Sequence, residues 1–84
     1  MEIKVGQLVY SKAGRDAGKF LAVTEVTESG IYVADGKERP LERPKRKNRT
    51  HLGTTTTVLD SGSMSTNRAL RQAIKEYIAG QTLM

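Results

Sequence analysis

The sequence predicts a mainly β protein: a small, strongly bent antiparallel barrel followed by one C-terminal α-helix. Three observations carry that expectation. Short runs rich in β-branched and aromatic residues recur up to Val58, each set off from the next by turn-forming residues. An Asp35-Gly36 dipeptide stands among them, and that pair is a strong hairpin signal. Beyond Leu59 the apolar residues fall at helical spacing instead of alternating. With 84 residues there is chain enough for one small domain and an appendage, and too little for two independent cores.

Taken in order, "QLVYS" (7–11) and "KFLAVTEV" (19–26) read as the first two strands, joined by the glycine-bearing loop "KAGRDAG". "TESG" (27–30) turns into "IYVA" (31–34), whose Ile31 and Val33 alternate with Tyr32 and Ala34 as a half-buried strand requires. A type I′ turn at Asp35-Gly36 then leads into a return strand, "ERPLER" (38–43), with Leu41 inward. Pro40 and Pro44 lack amide hydrogens and suit an edge or a strand end. "HLGTTTTV" (51–58) supplies the last strand and closes a barrel domain over 1–59. "DSGSMST" (60–66) reads as a flexible linker. Helix 67–79 follows, with Leu70, Ile74, Tyr77 and Ile78 on one face, a cap from Ser65, Thr66 or Asn67, and Gly80 at its end. A helix of that length is marginal alone, so its apolar stripe needs cover from its own barrel, a second copy or a neighbour.

Composition narrows the function. There is no cysteine and one histidine, which excludes disulfides and cysteine-built zinc sites and disfavours a histidine-built one. No apolar run approaches the roughly 20 residues of a membrane span, and the N-terminus lacks the pattern of a signal peptide, so a reducing, cytoplasmic setting is expected. The charge is concentrated. Residues 37–51 hold seven Lys and Arg against two Glu, a net of +5 that equals the charge of the whole chain. One dense block points to an acidic partner in a way that evenly spread charge does not. No paired carboxylates or nucleophile–base arrangement is visible, and Gly18-Lys19 precedes Phe20 where a phosphate loop needs a hydroxyl. The expectation is a non-enzyme with no cofactor, metal or small-molecule substrate.

Two stretches carry a family resemblance. "GQLVYSKAGRDAGKFLAV" resembles a KOW motif, the strand–loop–strand unit of several ribosomal proteins and transcription elongation factors. The continuation "VADGKERPLERPKRKNRTHL" is similar to the ribosomal-protein branch of that family and its small bacterial relatives. The resemblance spans residues 3–55 and leaves the helix uncovered. It implies an SH3-like barrel that binds RNA, chiefly ribosomal RNA of the large subunit. Gly18 matches the family's characteristic glycine, and Gly14 shares the same loop. On this reading Lys12, Arg15 and Lys19 around the loop join Lys37, Arg39, Arg43, Lys45, Arg46, Lys47 and Arg49 in one continuous phosphate-binding face. Arginine offers phosphate a planar fork and lysine a mobile point charge. The side chains of Lys45, Arg46 and Lys47 are expected to be exposed.

Asn48 and His51 could reach base edges or ribose hydroxyls. Arg15 could instead pair locally with Asp16, and His51 could simply start a strand. Tyr10, Phe20 and Tyr32 are candidate stacking residues, although strand aromatics in so small a barrel more often belong to the core. The competing functional class is an SH3-like protein-interaction module of the transcription or translation machinery, whose basic block would meet an acidic protein surface.

Overall fold

Strands β1 (Gln7–Ser11), β2 (Phe20–Val26), β3 (Ile31–Ala34), β4 (Lys45–Lys47) and β5 (Leu52–Val58) form one antiparallel sheet in the order β4-β3-β2-β1-β5. A 3-10 turn, Arg49–His51, joins β4 to β5, and α1 (Asn67–Thr82) follows. These features come from a computed structural model, which describes residues 2–82.

The sheet buries both faces. Val9, Leu21, Val23, Ile31 and Val33 share one face with Ile3 and Leu52. Leu8, Ala22 and Ala34 point the other way, where Leu70 and Ile74 of α1 cover them. That is why "LVY" and "LAV" are apolar without interruption: strands covered on both sides lose the polar half of the alternation. The ladders are irregular in two places. The β2–β3 register shifts between Val23 and Glu25, and β1–β5 shifts between Gln7 and Val9. At the second shift side chains replace ladder bonds: Gln7 Nε2 donates to the Thr55 carbonyl at 2.8 Å, and Thr55 Oγ1 donates to the Leu8 carbonyl at 2.7 Å. Bulges of this kind sharpen twist and bend a strand. The sheet indeed curls. β4 and β1 stand three places apart, about 14 Å in a flat sheet, yet Lys47 Nζ lies 3.1 Å from Ser11 Oγ.

The 35–44 connection departs from expectation. Residues 38–43 form no strand; the return strand is the shorter Lys45–Lys47, paired with Ile31–Val33. The turn is not type I′ either, since only Gly36 (φ 80°) has a positive φ and Asp35 does not. Asp35 Oδ1 instead accepts the Lys37 and Arg39 amides, while the Asp35 and Gly36 amides both donate to the Arg39 carbonyl. The Asp side chain thus closes a wider loop. Pro40 and Pro44 keep this loop out of the ladder. The Leu41 amide goes to Asn67 Oδ1 (2.7 Å) at the start of α1, and Leu41 packs half-buried against the helix-side core.

The 60–66 segment, expected to be a flexible linker, is a series of bonded turns. Asp60 Oδ1 accepts the Ser63 amide, and the Ser65 hydroxyl donates to the Gly62 carbonyl. Met64 packs on the helix-side core. Thr66 is the cap, its Oγ1 accepting the Ala69 amide at 3.0 Å. The helix runs through Gly80 to Thr82 rather than stopping at 79. Its cover is the protein's own sheet: Leu70 and Ile74 are buried and Tyr77 half-buried, while Ile78 remains 40 % exposed. Glycine is required at position 36, where a Cβ would come within 2.3 Å of the Asn67 carbonyl oxygen.

Candidate nucleic-acid interface

Three segments of the candidate set meet at one end of the sheet: the 12–19 loop after β1, the end of β4, and the 3-10 turn. The joint is a buried ion pair. Lys47 Nζ donates to Asp16 Oδ1 at 2.7 Å, to Ser11 Oγ at 3.1 Å and to the Ala13 carbonyl at 3.0 Å, which uses all three ammonium donors. Both side chains are nearly sealed from solvent, at 7 % exposure for Lys47 and 9 % for Asp16. Burial pushes the Asp16 carboxyl up, but the hydrogen bonds from Lys47 and Ser11 and the lysine charge outweigh it. The carboxyl is held below the ordinary carboxylate range. Gly14 (φ 89°) allows the loop this close, since a Cβ there would sit 3.3 Å from Lys47 Nζ.

This overturns the expected exposure of Lys47 and disposes of the local Arg15–Asp16 alternative. Lys47 is not an exposed phosphate contact; its charge is spent inside the protein. Asp16 pairs with Lys47 across the fold, not with its neighbour Arg15. Strand alternation is the reason. Lys47 pairs with Ile31 and Lys45 with Val33, so both share the face of the first core, while Arg46, opposite Tyr32, faces the other way. Sequence reasoning treated the basic run as a surface loop and so missed Ser11 and Asp16 as the groups that fix it. The signal that could have found them is the two-residue period of "KRK", once that run is read as a strand.

The remaining cations divide into free and engaged. Lys12, Arg15, Lys37, Arg43 and Arg49 are exposed, Arg39 and Lys45 partly so, and their side chains form no ion pair among the described residues. The Lys12 amide donates to the His51 carbonyl at 2.8 Å, which places Lys12 beside the Arg49–His51 turn. Arg15, Lys19 and Arg39 line one small depression, of about 220 Å³, together with Asp16, Asp35 and Glu38. These carboxylates interrupt the positive charge along the seam. The Arg43 amide donates to the Pro40 carbonyl within its own turn before β4, away from the 12–19 loop.

Lys19 pairs with Glu38, which raises the lysine pKa and lowers that of the carboxyl, but both groups are open to water and the pair is weak. The Arg46 guanidinium donates to the Ser29 carbonyl and lies over Gly30. Asn48 spends its Oδ1 on the Thr50 amide and hydroxyl at the head of the 3-10 turn, so it acts locally as a cap. His51 is exposed and lies in that turn, ahead of β5. Gly18 (φ 86°) sits on an exposed turn with nothing within 4 Å of a built Cβ, so the position demands glycine's conformation and not its small size.

The candidate stackers are partly committed. Phe20 meets Tyr10 and Tyr77 edge-on, with centroids 6.0 and 5.3 Å away, and Tyr10 lies across Gly53. Chemically, the seam offers a shallow surface with exposed arginine and lysine side chains carried on a loop and a turn that the Lys47–Asp16 pair joins. No protein-family model matches this chain, and no curated protein matches it.

Proposed function

We propose that the protein is a non-catalytic, cytoplasmic RNA-binding protein that engages ribosomal RNA of the large subunit. Its contact surface is the seam of Lys12, Arg15, Arg49 and His51, extended by Lys37, Arg39, Arg43 and Lys45. The observation that carries this reading is the Lys47–Asp16 pin. It spends one cation and one carboxylate to hold a loop bearing Lys12 and Arg15 against a turn bearing Arg49. Cations held on a rigid frame lose less entropy on meeting phosphate than cations on a loose tail. Backbone contact and shape then dominate over base reading, because the aromatics nearest the surface already pack on one another. No helix among the described residues is long and apolar enough to cross a membrane. The choice of ribosomal RNA rests on the KOW resemblance of residues 3–55.

Sedimentation of cell extracts through a sucrose gradient tests the assignment. The protein is expected to travel with the large subunit or its precursors at low salt and to be released as salt is raised. Migration only at the top of the gradient, at every salt concentration, would contradict it.

A further inference from the structure

Beside the seam lies a second, larger concavity, a groove of about 850 Å³ between α1 and the loops at Gly18–Phe20 and Asp35–Lys37. One wall is a row on the helix: Arg68, Arg71 and Lys75. They fall at i, i+3 and i+7, so they share one edge and span roughly 10 Å along the axis. Lys19 and Lys37 stand on the opposite wall. Asp35 is the single carboxylate in the lining, and its Oδ1 is occupied by two backbone amides. The accessible apolar lining is the exposed Ile78 and the half-buried Phe20, with Ile74 buried in the core behind them. The helix row pairs with no carboxylate among the described residues.

A row of cations along one edge of an apolar lining that includes Phe20 suits a strand with an anionic backbone and bases whose flat faces can stack. The groove also continues the seam, since Lys19 and Asp35 line both this groove and the depression that holds Arg15 and Arg39. We propose that the groove receives a single-stranded segment of the same RNA whose structured part lies on the seam. Phosphates of that segment meet Arg68, Arg71 and Lys75, and its bases lie over Ile78 and the half-buried Phe20. The inference rests on the RNA-binding reading and gives it a substrate class: RNA in which a structured element adjoins an unpaired strand.

The test compares the full chain on two probes, a blunt RNA hairpin and the same hairpin with an unpaired extension of about six nucleotides. The extension is expected to tighten binding about tenfold at moderate salt. The variant Arg68→Gln/Arg71→Gln/Lys75→Gln, whose replacements are good helix formers at exposed positions, is expected to bind the blunt hairpin within about threefold of wild type. It should lose the gain from the extension. Equal wild-type affinity for both probes would overturn the groove assignment and leave the seam standing. If wild type binds neither probe, the RNA reading and the groove fall together. If the variant keeps the gain but loses binding of an acidic amphipathic peptide, the groove belongs to a protein partner and the inference is overturned.

Discussion

Lys47 and Arg49 stand two positions apart in the same basic run and do opposite work. Removing Lys47 leaves the Asp16 carboxylate buried without its partner, which typically costs about 3–5 kcal/mol. For a domain of this size Lys47→Ala should therefore lower Tm by more than about 10 °C. Arg49→Ala, at an exposed position, should stay within about 0.5 kcal/mol of wild type. Thermal melts of the two variants separate the roles. The pair also sets a pH dependence. Because the folded-state pKa of Asp16 is depressed, its contribution is fully present above the unfolded value of about 4. It is lost as pH falls through the lower folded value. Stability measured downward from pH 5 should fall, and the part of that fall due to Asp16 should vanish in Asp16→Asn. At Gly18, where only backbone conformation is at stake, Val should cost about 1–3 kcal/mol, whereas Asn, which tolerates positive φ, should cost far less. A Val variant that melts with wild type would show that the turn relaxes freely.

The elements differ in how openly the sequence announces them. β1, β2, β3 and β5 fall within a residue of their expected spans, because β-branched runs between glycine turns leave few other choices. The helix stripe was equally plain, and so was the need to cover it. Its C-terminal bound was not, since Gly80 has open space around it and the helix simply continues. β4 lies later than the expected return strand because a two-residue turn at Asp35-Gly36 would start that strand at residue 38, whereas the Asp35 side chain closes a wider loop. Leu41 is drawn to α1 instead, where the Asn67 side chain takes its amide. That pull is a tertiary contact across 26 positions, and no local pattern records it. The helix is in turn an integral layer. Leu70→Ala should cost about 2–5 kcal/mol, because Leu70 is fully buried against Leu8, Ala22 and Ala34. Chemical denaturation should show one transition moved to lower denaturant, and an unchanged midpoint would mean that α1 contributes little to the fold.

The whole molecule combines a two-faced core with a charge distribution that only folding reveals. The sequence placed +5 in residues 37–51, but the folded chain sorts that block into a buried pin, a backbone-bound Arg46 and a set of free cations. It then adds Lys12 and Arg15 from a distant loop. The joining of loop and basic run was expected from the family resemblance, but the buried pin that joins them was not, because the pairing of Lys47 with Asp16 links positions 31 apart. The most direct test of the central claim is the salt dependence of binding to large-subunit rRNA fragments. It should be measured for wild type and for Lys12→Gln/Arg15→Gln/Arg49→Gln, with folding checked by circular dichroism. With Lys12, Arg15 and Arg49 as the direct phosphate contacts and the other seam cations at the rim, the log–log slope for wild type is roughly −2 to −3. The variant, folded as wild type is, should lose most of its affinity and most of that slope. A folded variant with wild-type affinity and slope would contradict the account.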